Sequence, residues 1–201
     1  MLIQRYAFAS GGRLLSAVRG FTLIELMVTI SIIAMMLGLG FPSFRVWITN
    51  AQVRSTADVL QTGLRTAKAE AERRNRNVQF SFTNATPALS ATPVAGGSNW
   101  SLQTVAQFGD PAAEFVAGGS LSDQANGVSI TSTPSVASIC FDSLGRMVTI
   151  AAVSCTAAAQ SIDVAKVGSD RPMRITLAAG GQVRMCDPNR PMRSSNAPDG
   201  C

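Results

Sequence analysis

Gly20-Phe21-Thr22-Leu23-Ile24-Glu25-Leu26-Met27 opens a stretch that stays apolar as far as Phe41-Pro42, and its reading organises the rest of the chain. From Phe21 to Phe41 there are 21 residues and one charge, Glu25. As an α-helix, that length suffices to cross a hydrocarbon core of about 30 Å. Arg5, Arg13 and Arg19 precede the run, and no acid does. By the positive-inside rule the start of the chain stays cytoplasmic and the part beyond the run is exported.

A carboxylate so early in a membrane segment is costly. Near the bilayer centre the cost is roughly 2.5 to 3.5 kcal/mol on insertion scales, and it falls towards the headgroups. Two readings are open. In one, the segment is an ordinary signal anchor and Glu25 snorkels to the interface. In the other, a positive charge from another protein neutralises it.

Gly20-Phe21-Thr22-Leu23-Ile24-Glu25, the apolar run and Pro42 together resemble the class III signal of type IV pilins and type II secretion pseudopilins. The resemblance implies that a prepilin peptidase cuts between Gly20 and Phe21 on the cytoplasmic side of the inner membrane and methylates the new amine of Phe21. Glu25 then becomes the fifth residue of the mature chain. The resemblance pairs it with the terminal amine of a neighbouring subunit during assembly, and it places a helix kink at Pro42. The partners implied are the peptidase, other pilins or pseudopilins, and the membrane.

Of 201 residues, removing residues 1–20 leaves 181, with 21–43 as transmembrane and assembly helix and 44–201 as one periplasmic domain. The net charge of +5 includes the three leader arginines; without them 14 basic residues face 12 acids, a net of +2. A strongly basic field over the whole domain is therefore absent. With no histidine, histidine triads, histidine metal ligands and the commonest general base are excluded. No P-loop, G-x-S-x-G or metal-ligand cluster occurs, so neither an enzyme nor a cofactor is indicated.

Cys140, Cys155, Cys186 and Cys201 all lie in the part expected to be exported. An even count in an oxidising compartment argues for two disulfides, with three pairings open. Cys140–Cys155 with Cys186–Cys201 is preferred, because each closes a short loop of the same span.

The helix is expected to run from Phe21 to about Arg76. Beyond Pro42 it carries Val53, Ala57, Leu60, Leu64, Ala67 and Ala71 in steps of four and three. Such steps lay residues along one stripe of a helix. Arg54, Asp58, Gln61, Arg65, Lys68 and Glu72 fall off the stripe. The arginines from Arg73 to Arg76 suit a helix C-terminus. Strands are expected at Val78–Phe82, Trp100–Phe108, Val128–Thr131, Ser138–Phe141, Met147–Val153, Ser161–Val167, Met173–Leu177 and Gln182–Cys186. A long helix followed by strands predicts an α+β, pilin-like fold, the helix packed against an antiparallel β-sheet. The stretch 187–201 reads as a loop held by Cys201.

Three later segments narrow the resemblance: Lys68-Ala69-Glu70-Ala71, Phe141-Asp142-Ser143-Leu144-Gly145-Arg146, and Arg174-Ile175-Thr176-Leu177 with Gly181-Gln182-Val183-Arg184-Met185-Cys186. Together they resemble the GspH/FimT branch of minor pilins and pseudopilins, which implies a low-abundance assembly or tip subunit of a type IV pilus or type II secretion pseudopilus. Some FimT-like members bind DNA for transformation through a Gly-Arg-x-Arg pattern. Here Gln182 stands where the first arginine would be. The alternative of DNA binding rests instead on Arg171, Arg174, Arg184, Arg190 and Arg193, since clustered arginines neutralise phosphates whatever the base sequence.

Overall fold

The computed structural model describes residues 20–89, 91–107, 109–121, 126–191 and 199–201. Leader residues 1–19, Phe108 and Arg193 lie outside them, as do the side chains of residues 39–42, including Pro42. Helix α1 covers Leu23–Arg74, 52 residues. The chain forms two compact units that meet in sequence between Phe41 and Pro42.

The first unit is helical from Leu23 and its apolar side chains face outwards. Leu23, Ile24, Met27, Met35 and Met36 are each more than 60% exposed, and Ile30, Ile32 and Ile33 more than half. No single unbroken helix among the described residues is long and apolar enough to cross a membrane. The pair Leu23–Gly38 and Ser43–Arg74 passes together, by length and composition.

The second unit is built on the rest of α1. Val53, Ala57, Leu60, Leu64, Ala67 and Ala71 are all fully buried, so the whole stripe faces the core. Arg54, Asp58, Arg65 and Glu72, off the stripe, are exposed. α1 ends at Arg74, and Asn75 takes the left-handed conformation (φ 52°) that commonly stops a helix. The amide of Arg76 donates back to the carbonyl of Ala71.

The strands divide between two four-stranded antiparallel sheets rather than forming one. The first sheet has the order β3 (Phe115–Ser120), β2 (Asn99–Thr104), β1 (Val78–Thr83), β5 (Ser138–Phe141). The second has β4 (Val128–Thr133), β6 (Gln160–Lys166), β7 (Met173–Leu177), β8 (Val183–Cys186). The chain leaves the second sheet after β4 and returns to the first at β5, which pairs with β1 from Val78↔Phe141 to Ser81↔Ser138. Phe80, Phe82, Leu102, Ile139 and Phe141 from one sheet, and Ile162, Val164, Ile175 and Leu177 from the other, join the α1 stripe in a single core.

Two expectations are corrected. Met147–Val153 is not a strand; Met147 and Ile150 make isolated bridges, and Ala151–Val153 is a short 3-10 turn. The backbone there is drawn into a loop by Cys140–Cys155, and Ser154 has a left-handed φ of 55° that a strand does not admit. Strand β3 has no counterpart in the sequence reading. Its Phe-Val-Ala-Gly-Gly-Ser shows no alternation because it is an edge strand with neither face fully buried.

β1 is buried on both faces. On one, Phe80 meets Phe82 edge to face at 5.2 Å and stacks on Trp100 at 5.8 Å. On the other, the Gln79 side-chain amide donates to Ser138 Oγ (2.8 Å) and accepts from Gln103 (2.8 Å), while the Ser81 and Ser101 hydroxyls pair at 2.9 Å. Buried polar groups need such partners, since an unmade bond costs about 1–3 kcal/mol.

Candidate functional site

The amino-terminal motif is built by the start of α1. The amide of Glu25 donates to Thr22 Oγ1 at 3.3 Å, so Thr22 caps the helix and Glu25 lies in its first turn. A carboxylate there is favoured by the helix dipole. Further along, the hydroxyls of Thr29 and Ser31 bond back to the carbonyls of Leu26 and Met27, which removes them as free polar groups on an apolar surface. Phe21 is 81% exposed. Among the described residues Glu25 has no ion-pair partner. It stands as a single carboxylate on an exposed apolar helix, open to a cation from outside the chain.

The arginines after residue 170 are arranged otherwise. Arg174 makes a two-pronged pair with Asp163 across β6 and β7, at 2.6 and 2.9 Å. The Asp163 hydrogen bonds and charge hold the Arg174 guanidinium above its usual pKa. Arg171 reaches Asp187 (3.8 Å) and Asp199 (3.4 Å), and Arg190 reaches the same two acids at 3.5 and 3.4 Å. Asp187 is buried, and its Oδ1 also accepts from the amide of Asn189. This cluster sits beside the Cys186–Cys201 disulfide, where the amide of Cys201 donates to the Asp187 carbonyl. Arg184 is exposed, and among the described residues it has no ion pair. Arg193 lies outside the described residues. Sequence spacing gave no sign that these cations have acids facing them, because Asp163 is eleven residues from Arg174 and is brought to it by strand pairing.

The three later motifs meet at one place. The Asp142 carboxylate closes the turn of residues 141–146: Oδ1 accepts from the amides of Leu144 (2.9 Å) and Arg146 (2.8 Å), and Oδ2 from the Arg146 guanidinium at 3.0 Å. Partial burial opposes ionisation, but these bonds prevail and hold Asp142 below the usual carboxylate range. Gly145, with φ +73°, lies against the Lys68 and Glu72 side chains of α1. Gly181, φ +75°, lies directly on the carbonyl of Gly145, and Lys68 Nζ donates to the carbonyl of Gly181 at 3.4 Å. The motifs therefore lock the helix, the 141–146 turn and the β7–β8 turn to one another. Their role is architectural.

At the end of α1, Arg73 and then Arg74 hold Glu70, whose carboxyl is lowered from 4.5 to about 2 by their hydrogen bonds. Arg74 also pairs with Glu114, and Arg76 donates to the carbonyl of Pro111. A groove of about 500 Å3 runs beside Arg54, Asp58, Gly63 and Trp100. The sequence reading missed it, since it forms only where β2 crosses the helix.

No curated protein matches the chain. Three solved chains do. Two are crystal structures, in different space groups, of the type IV minor pilin FimU from Pseudomonas aeruginosa strain PAO1. Each is 17% identical and covers 74% of this chain; the match spans 98% and 94% of theirs, with TM-scores of 0.47 and 0.49. The third is the minor pseudopilin EpsH of the Type 2 Secretion System of Vibrio cholerae, 11% identical over 69% of this chain and 99% of its own, with a TM-score of 0.47. The family described as prokaryotic N-terminal methylation motif matches residues 15–41. The family described as Type II transport protein GspH matches residues 56–181. That second match takes in more than half of the sequence, and the chain therefore belongs to the GspH family of minor pilin and pseudopilin subunits, which are structural proteins and not enzymes, and it carries a prepilin-type signal.

Proposed function

We propose that this protein is an assembly subunit of a type IV pilus or type II secretion pseudopilus. Prepilin peptidase releases it between Gly20 and Phe21 and methylates Phe21. The start of the chain is cytoplasmic, the apolar helix spans the inner membrane once, and residues 44–201 lie in the periplasm until the subunit enters a filament. The observation that carries this reading is Glu25, a lone carboxylate four residues from Phe21 on an exposed apolar helix, with no ion-pair partner among the described residues. In a filament, the terminal amine of a neighbouring subunit supplies the missing charge, and Pro42 relaxes the helix beyond the membrane.

Glu25→Ala tests the reading. The variant inserts into membranes as the wild type does but is depleted from sheared filament fractions; equal recovery of the two proteins overturns the pairing. Gly20→Trp blocks cleavage, so the purified chain keeps the mass of the uncut precursor. A normally processed mass overturns the assigned cleavage position.

DNA capture, the alternative function, has less support. Three of the arginines it would use are engaged with acids of this chain.

A further inference from the structure

The end of the second unit that begins at Pro42 carries apolar and cationic side chains that nothing in the fold covers. Phe44 is 57% and Trp47 65% exposed, with their rings stacked at 5.8 Å, and Ile48 is also exposed. Their face is extended by the β6–β7 turn. The hydroxyl of Thr49 donates to the carbonyl of Gly168 at 3.1 Å, and the Asn50 amide donates to Asp170 at 2.6 Å, while its oxygen accepts from the amides of Asp170 and Arg171. This clasp holds Val167, 95% exposed, close to the same helical turns. A valine at the tip of a turn is unusual, since turn tips favour polar residues, Gly and Pro.

The charges here are mostly positive. Between Glu25 and Asp58 the chain has no acid, while Arg45 and Arg54 are both exposed and, among the described residues, have no ion-pair partner. Lys166 lies on the same hairpin, bonded to Gln52 and Asn126. The one exposed acid on the turn, Asp170, is held by Asn50.

We propose that this end of the domain is a docking surface for a phospholipid headgroup layer. Phe44 and Trp47 sit among the headgroups, Val167 touches the same layer, and Arg45 and Arg54 meet lipid phosphates. The proposal rests on the reading of residues 21–41 as a membrane span. Chain length argues for the occupant. Six residues separate Phe41 from Trp47, a helical path of about 9 Å. The headgroup region adds roughly 5–7 Å to each side of the hydrocarbon core. Trp and Tyr concentrate at that level because an amphipathic ring suits it, and basic residues near anionic lipid gain about 1 kcal/mol each. The surface holds the domain against the bilayer while the subunit waits to assemble.

The test uses the full chain in phosphatidylcholine–phosphatidylglycerol vesicles with Trp47 as reporter. Trp100→Phe leaves Trp47 as the only tryptophan. Trp100 Nε1 is buried with no hydrogen-bond partner, so the exchange removes no bond. If it disturbs the fold, the difference between wild type and Trp47→Phe gives the same signal. Expected are co-flotation with the vesicles, strong quenching by lipids brominated near the headgroup end of their acyl chains, and a several-fold lower quenching by aqueous iodide than for free tryptophan amide. Arg45→Glu with Arg54→Glu raises iodide quenching several-fold while flotation is kept. A chain that floats with Trp47 as open to iodide as the free amide overturns the docking surface and leaves the anchor standing. A chain that does not float overturns the anchor, and the docking surface with it.

Discussion

At Gly181 the backbone takes φ +75° and lies on the carbonyl of Gly145. Any side chain there meets backbone, which cannot swing aside, and a positive φ strains all residues but glycine. Gly181→Ala should therefore cost more than about 2 kcal/mol in urea unfolding, well above the usual cost of a surface substitution. Glu70 offers a pH-dependent counterpart. Its folded pKa of about 2 lies below the ordinary 4.5, so it contributes stability that is fully present above 4.5 and is lost as the pH falls towards 2. Glu70→Gln should then be less stable than wild type at neutral pH. The gap between their melting temperatures should close as the pH is lowered through that window, and a gap independent of pH would contradict the assignment. Trp100→Phe keeps the stack on Phe80 and removes only an unpartnered N–H, so its stability should stay within about 1 kcal/mol of wild type.

At the scale of elements, the α1 stripe and the carboxy-terminal clasp hold the second unit. Leu64 is fully buried between both sheets' core side chains, whereas Leu144 is 68% exposed. Leu64→Ala should cost about 2–5 kcal/mol and Leu144→Ala less than about 0.5 kcal/mol, measured by denaturant midpoints. Cys186–Cys201 closes a loop of sequence separation 15 over the buried Asp187. Cys186→Ser with Cys201→Ser should lose about 3 kcal/mol in the chain-entropy account and expose Arg190 to trypsin well before the rest of the domain is cut. The stripe was legible because a helix turns by a fixed angle per residue, and steps of three and four have one geometric meaning. The strand at Met147–Val153 was misread because alternation says nothing about whether a partner strand is within reach. Here a disulfide and a tight turn place the backbone beyond pairing.

Over the whole molecule, charge decides which surfaces are available. The chain without residues 1–20 has a net charge of +2. Arg171, Arg174 and Arg190 face Asp187, Asp199 and Asp163, so the basic run after residue 170 presents little free charge. Full-length protein in detergent should give no shift of duplex DNA at physiological salt. A shift whose affinity falls steeply with added salt would restore the DNA reading, since that slope counts the phosphates neutralised.

The sequence by itself determined the amino-terminal motif, the apolar span and the buried face of α1, because each depends on neighbours along the chain and on the fixed geometry of a helix. It also carried the motifs of the GspH/FimT resemblance, though not what they do. Only the tertiary structure decided that the strands form two sheets, that those motifs meet at Gly145 and Gly181, and that the late arginines are paired within the chain. All three depend on residues far apart in sequence being brought together by strand pairing, and the order in which short strands pair is set by their shared core rather than by any one of them.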